Sequence, residues 1–170
     1  MIVRALVLAF LLALPGAHAQ DNSAIKKSAK TSLVGTWNLI RYADTPKGGK
    51  DVHVFGKSPI GQFIFTADGY MSVHIMHNPP NPKDQVVDPD PEACIPSWYC
   101  GYFGTYSVDP AGHFWIGHVL GGNIPAYIGT DQKRTFTIVG DRLIISETYL
   151  SESVPVTAER VLVRNQRNSN

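Results

Sequence analysis

The chain has 170 residues, with 15 basic and 14 acidic side chains, and 44% of its residues are hydrophobic. This near balance of charge excludes a strongly basic or acidic surface, so we expect neither nucleic acid nor an anionic membrane as a partner. The 15 glycines, 12 prolines and 10% aromatic residues favour an all-β globular domain over a helical or disordered chain.

Residues 1–19 are typical of a cleavable secretory signal peptide. Arg4 precedes an apolar run over residues 5–14, and residues 17–19 read Ala-His-Ala, the small-x-small pattern of a cleavage site. The apolar run is too short to span a bilayer, although an uncleaved anchor is the alternative. We therefore expect a secreted or periplasmic protein with no membrane insertion after the signal is removed.

The two cysteines, Cys94 and Cys100, fall in the exported part of the chain. An oxidising compartment makes a disulfide between them the expected state. A metal or redox pair is the alternative, but the Cys-x-x-Cys spacing that would support it is absent.

After a flexible polar lead-in over residues 20–32, one domain is expected over residues 33–165, followed by a polar tail at 166–170. Short β-rich runs divided by tight turns predict antiparallel neighbours. The sequence therefore predicts an up-and-down β-barrel of eight or nine strands, with a sandwich as the alternative. A barrel of eight strands can hold one small ligand. Strands are expected at about 35–42, 60–66, 70–76, 102–109, 113–119, 125–130, 133–139, 142–149 and 157–164.

A long loop over residues 77–101 interrupts this series. It contains several prolines and acidic residues, the cysteine pair, and Trp98. Loops of this length in compact domains act as lids or binding loops, or decorate the surface. Both interpretations stay open, and the first makes Trp98 a candidate ligand contact.

Several short blocks occur in a fixed order along residues 33–165. They are Leu-Val-Gly-Thr-Trp at 33–37, Phe-Thr-Ala-Asp-Gly-Tyr-Met-Ser at 65–72, Gly-Tyr-Phe-Gly-Thr-Tyr-Ser-Val-Asp at 101–109, Gly-Thr-Asp-Gln-Lys-Arg at 129–134, Gly-Asp-Arg-Leu at 140–143 and Arg-Val-Leu-Val-Arg at 160–164. In order and spacing they resemble the bacterial and fungal lipocalin-like domain family. The resemblance implies a small calycin-type barrel that binds apolar small molecules. Some relatives with lipocalin folds rearrange or cyclise natural products, and fold alone does not fix function.

The same resemblance assigns structural roles to Gly35, Trp37 and Arg164. Trp37, in the Gly-x-Trp opening, would pack across a closed end of the barrel, with a basic residue of the last strand over it. Arg164 is the expected partner and Arg160 the alternative. A guanidinium over an indole face stabilises by about 1 kcal/mol.

The predicted strand 70–76 has two faces, and its period of two does not say which lines the cavity. One face is apolar and the other carries Tyr70, Ser72 and His74. Hydrophobicity favours the apolar face inward. If the mixed face lies inward, these three side chains become ligand contacts.

Three aromatic residues on later strands are further cavity candidates, namely Tyr106, Trp115 and Tyr127. Their rings supply apolar area, and the hydroxyl or indole N–H can orient a polar group of a ligand. Ordinary barrel packing is the alternative role for each of them.

Four titratable or charged residues on predicted strands could perform acid–base chemistry if they face a cavity. They are His74, His118, Arg134 and Glu147. The sequence contains no Gly-x-Ser-x-Gly elbow, so it does not indicate nucleophilic catalysis by a serine. The histidines lack metal-ligand spacing and no nicotinamide glycine fingerprint occurs, so we expect neither metal nor cofactor.

Together these features predict an exported barrel that binds a small apolar or aromatic molecule. The first alternative is a cofactor-free isomerase or cyclase acting on a secondary metabolite. The second is a cell-envelope interaction module with a filled barrel and no cavity.

Overall fold

Eight antiparallel strands form a closed barrel in the computed structural model, which describes residues 30–78 and 99–165. Each strand pairs with the next in the chain, and the last pairs back to the first. This confirms the predicted all-β up-and-down barrel. The strands are β1 (Gly35–Pro46), β2 (Ile60–Phe65), β3 (Tyr70–Met76), β4 (Tyr99–Val108), β5 (Phe114–Gly122), β6 (Asp131–Val139), β7 (Arg142–Ser151) and β8 (Val154–Arg164).

The strand predicted at 125–130 is wrong, because Pro125–Tyr127 forms a 3₁₀ helix instead. Proline fixes φ and has no N–H to donate to a sheet ladder, and Gly129 adopts a positive φ of 79° that no extended strand has. Strand β4 begins at Tyr99, three residues before its predicted start, so residues 99–101 belong to the sheet. No helical segment within the described ranges is long and apolar enough to span a membrane.

The barrel interior has an apolar end, where β1 begins and the β2–β3, β4–β5 and β6–β7 hairpins turn. Trp37, Phe65, Trp115, Leu143 and Leu162 are fully buried there. The Phe65 and Trp115 rings meet edge to face with centroids 5.3 Å apart, a favoured aromatic geometry. Close packing of this kind closes one end of the barrel.

The opposite end carries the loop between β1 and β2, the segment that joins β3 to β4, the 3₁₀ helix and the β7–β8 turn. Residues 79–98 of the joining segment lie outside the described residues, together with 1–29 and 166–170. The signal peptide and the roles of the proline-rich loop therefore stay predictions. The same holds for the roles of Trp98 and Cys94.

A β-bulge in β1 changes which side chains of that strand face inward. Leu39 pairs with Leu162 of β8 while Arg41 pairs with Val161, so Ile40 is an extra residue, and it is 45% exposed. An extra residue reverses the alternation of the strand beyond it. Residues 37 and 39 face the interior before the bulge, and residues 42 and 44 face it afterwards.

Candidate functional site

Strand β3 turns its apolar face into the barrel. Met71 and Ile75 are buried, whereas Tyr70 is 54% exposed. Ser72 and His74 share the outer face with Tyr70. The hypothesis that these three side chains line the cavity is wrong, because burying the apolar set stabilises the fold more.

Both histidines predicted as catalytic lie on the outer surface. His74 hydrogen-bonds through its two ring nitrogens to the hydroxyls of Ser72 and Tyr99, each at 2.8 Å. His118 lies 2.9 Å from a carboxylate oxygen of Asp131, and both side chains are exposed. Neither histidine reaches the interior, which corrects their placement beside a cavity.

Tyr106 and Trp115 face inward but belong to the packed apolar end. Trp115 contacts Phe65, and the Tyr106 hydroxyl donates to the carbonyl oxygen of Thr66 at 2.9 Å. Burial raises the pKa of Tyr106 to about 12. Both rings are nearly fully buried and pack on Phe65, which favours barrel packing, and their role as ligand contacts stays a prediction.

Arg164 and Trp37 close the apolar end together. The Arg164 guanidinium carbon lies 3.9 Å from the Trp37 ring centroid. The guanidinium also donates to the carbonyl oxygens of Val34 at 2.8 Å and Ser32 at 2.5 Å. A Cβ at Gly35 would stand 2.7 Å from an Arg164 nitrogen, so a larger residue there would displace the guanidinium from this position.

An ion pair between β6 and β7 lies inside the other half of the barrel. Arg134 donates from Nε to Glu147 Oε1 at 2.9 Å, and from Nη2 to Gln132 Oε1 at 3.1 Å. The guanidinium also interacts with the hydroxyls of Tyr102 and Tyr127. The structure thus brings together three residues singled out from the sequence: Arg134, Glu147 and Tyr127.

A second ion pair lies on the next two strands of the barrel, β8 and β1. Arg160 Nη1 donates to Asp44 Oδ1 at 2.7 Å, and the Arg160 guanidinium carbon lies 3.4 Å from the Tyr42 ring centroid. The Tyr42 ring in turn meets Phe55 edge to face, with centroids 4.8 Å apart. Arg160 therefore lies over Tyr42 and not over Trp37.

We refer to these interior side chains as the polar cluster, which comprises Tyr42, Asp44, Tyr102, Tyr127, Arg134, Glu147 and Arg160. Sequence reasoning missed Tyr42, Asp44 and Tyr102 as site residues, and it named Arg160 only as a possible partner of Trp37. The bulge in β1 shifts the alternation that would have shown that Tyr42 and Asp44 face inward. A signal for Tyr102 was present, because the period of two along β4 gives it the same face as Tyr106.

Burial is the largest single influence on the pKa values of several groups in the polar cluster. It raises the pKa of Glu147 against the opposing effect of Arg134, and it raises the pKa of Tyr42 to about 12. The pKa of Tyr102 is raised for the same reason. Burial alone would lower the pKa of Arg134, but Tyr102, Glu147 and Tyr127 outweigh it and the pKa is raised. The cluster therefore offers the protonated hydroxyls of Tyr42 and Tyr102 beside two ion pairs.

Within residues 30–78 and 99–165, no group of three or more His, Cys, Asp or Glu side chains could hold a metal ion. Cys100 is buried in β4. Its predicted bridge to Cys94 stays a prediction, since Cys94 lies outside the described residues.

Comparison with known proteins identifies one family. The model of a lipocalin-like domain matches residues 34–164, a range that includes all eight strands of the barrel. No curated protein matches the chain.

Proposed function

The chain belongs to the lipocalin-like domain family, and on this premise we propose that it binds a small apolar or aromatic molecule inside its barrel. The observation that carries the proposal is the residual exposure of interior polar side chains. Glu147, Arg134, Arg160 and Asp44 are 33%, 20%, 16% and 13% exposed, while Trp37 at the other end is 0% exposed. An inward side chain that solvent reaches borders space that a small molecule can enter.

The rings around this space suit an aromatic or apolar ligand. Tyr102 and Tyr127 meet edge to face with centroids 5.8 Å apart, and Phe55 packs on Tyr42 from the β1–β2 loop. Rings of this kind supply apolar contact area, and their hydroxyls can orient a polar group. The ligand body would lie on the rings, and its polar end would meet the polar cluster.

Native mass spectrometry of the protein purified gently from its own host tests the proposal directly. Ala158 faces the interior opposite Glu147, so Ala158→Phe should fill the space beside the cluster. Thr157→Phe places the same ring on the outer face and is the matched control. We expect a small molecule bound to the wild type and to Thr157→Phe, but not to a folded Ala158→Phe. Clean ligand-free protein from wild type and control would overturn the proposal.

A second candidate function is a cofactor-free isomerase or cyclase acting on a secondary metabolite. It is favoured by Glu147, whose pKa is raised by burial and which lies beside Arg134 inside the barrel. Such a carboxylate could take a proton from the carbon next to a ligand carbonyl, while a tyrosine hydroxyl holds the carbonyl oxygen. In D₂O, wild type should then label the co-purified molecule and Glu147→Gln should not. A bound but unlabelled molecule would favour the binding function.

The third alternative, a cell-envelope interaction module with a filled barrel, receives less support from the same exposure. It requires an interior with no accessible polar side chain. A folded wild-type protein that yields no bound molecule and shows no change on Ala158→Phe would favour this module.

We also propose that the protein is exported. The proposal rests on the signal-peptide pattern of residues 1–19. Expression of the full chain in its host should give a mature protein that begins at Gln20 in the periplasm or medium. Intact-mass measurement on each cell fraction checks this, and full-length protein confined to the cytoplasm would contradict it.

A further inference from the structure

We infer that the barrel selects an uncharged ligand ending in a hydroxyl or carbonyl group over a carboxylate or ammonium with the same body. This inference rests on the proposed binding function and names the class of its ligand. It is based on two features of the polar cluster: its positive and negative charges are balanced, and it also contains uncharged tyrosine hydroxyls that can form hydrogen bonds.

The charges inside this half of the barrel cancel in pairs. Among the described residues, the inward positions near the cluster carry Arg134 with Glu147 at 2.9 Å and Arg160 with Asp44 at 2.7 Å. Arg164 has the same parity on β8 but lies at the other end, over Trp37. Within residues 30–78 and 99–165, no unbalanced charge is therefore left near the cluster to attract an ionic ligand.

A charged ligand would disturb these pairs. A carboxylate that approached Arg134 would compete with Glu147 and face the negative charge of Asp44 as well. An ammonium that approached Glu147 would meet both arginines. In a partly buried site these like-charge contacts and the lost pairing cost more than in water, where solvent screens them.

An uncharged polar group gains hydrogen bonds without that cost. The hydroxyls of Tyr102 and Tyr127 lie beside Arg134, and a tyrosine hydroxyl both donates and accepts. Burial raises the pKa of Tyr102, which keeps its proton available for donation. A site built to hydrogen-bond a hydroxyl also rejects an analogue that lacks it, because its own polar groups would then be left unpaired.

Four probes with one naphthalene body separate the possibilities: 2-naphthol, 2-naphthoate, 2-naphthylmethylammonium and 2-methylnaphthalene. Their binding to the wild-type protein would be measured by isothermal titration calorimetry at pH 7. We expect 2-naphthol to bind on the order of tenfold tighter than each of the others.

Changing the charge balance should change the preference. Glu147→Gln removes one negative charge from the cluster with little change of shape, and it should make 2-naphthoate bind tighter than 2-naphthol. Glu159→Gln is the matched control, since Glu159 pairs with Arg41 on the outer face and should leave the wild-type order unchanged. Circular dichroism of both variants verifies that the barrel is folded.

The inference is overturned if wild type binds 2-naphthoate, the ammonium or 2-methylnaphthalene as tightly as 2-naphthol. It is equally overturned if folded Glu147→Gln keeps the wild-type order. If no probe binds but a molecule co-purifies, the charge of that molecule tests the inference. An ionic molecule overturns the inference but leaves the binding function supported. If no probe binds and nothing co-purifies, the binding function itself fails.

Discussion

Replacing Arg164 with Met tests how much the closed end contributes to stability. Methionine keeps an unbranched apolar stem beside Trp37 but removes the guanidinium, which lies 3.9 Å from the indole centroid and donates to two backbone carbonyls. The change therefore isolates the charge and its donors from the apolar packing of the side chain.

The magnitude follows from these contacts. The cation–π contact is worth about 0.7 kcal/mol. The hydrogen bond to the partly buried Val34 carbonyl is worth about 1.5 kcal/mol, and that to the exposed Ser32 carbonyl, which water can replace, about 0.5 kcal/mol. Together they give a loss of about 2.7 kcal/mol on Arg164→Met.

Urea unfolding followed by tryptophan fluorescence measures this loss. With a slope of about 2 kcal/mol per molar urea, the midpoint should fall by about 1.3 M. The matched control is Arg142→Met, an exposed arginine at the start of β7 and the same end of the barrel, which should change stability by less than about 0.5 kcal/mol. A loss under about 1 kcal/mol for Arg164→Met, or equal losses for both variants, would refute the reasoning.

Three further predictions concern backbone packing, pH and the cysteines. A Cβ at Gly104 would overlap a backbone carbonyl of β5, so Gly104→Ala should lower the free energy of unfolding by about 4 kcal/mol or prevent folding. Circular dichroism should show that the control Thr105→Ala stays folded. A stable Gly104→Ala would contradict the register. Since burial raises the folded-state pKa of Glu147 above its ordinary 4.5, the folded state holds that proton more tightly, and ionisation costs stability. The unfolding free energy of wild type relative to Glu147→Gln should therefore fall as pH rises from below 4.5 through the raised pKa of Glu147. Urea titrations at several pH values measure this, and a rise would contradict the direction of the pKa shift. Finally, a thiol-alkylating reagent should label neither Cys94 nor Cys100 in exported protein until a reductant is added, and labelling without reductant would exclude the disulfide.

The fold was predictable because the turn signals are local. The Ala-Asp-Gly and Gly-Asp turns mark hairpins whose strands pair as neighbours, and Gly69 adopts the positive φ that such a turn requires. The segment 125–130 misled the prediction because its apolar and aromatic composition resembles a strand. Pro125 prevents that outcome, since a proline cannot complete a ladder in a closed barrel without an edge.

The site was predictable only in part. Arg134, Glu147 and Tyr127 stood out as polar groups among apolar runs, and the structure brings them together. His74 and His118 stood out equally, yet both lie on the outer surface. A period of two separates the two faces of a strand but does not say which of them faces the core. Asp44 could not be found by alternation, because a bulge separates it from the Gly-x-Trp opening.

The extra residue in β1 also bears on how such a barrel can diversify. Leu39, Arg41 and Tyr42 pair with the consecutive residues Leu162, Val161 and Arg160, so deleting Ile40 would leave a regular ladder in which Tyr42 and Asp44 still face inward. The bulge thus absorbs one residue of length, and this wall of the interior keeps its hydrogen-bonding side chains. Two barrels of this kind can therefore differ by one residue at this position and still present the same side chains to a ligand.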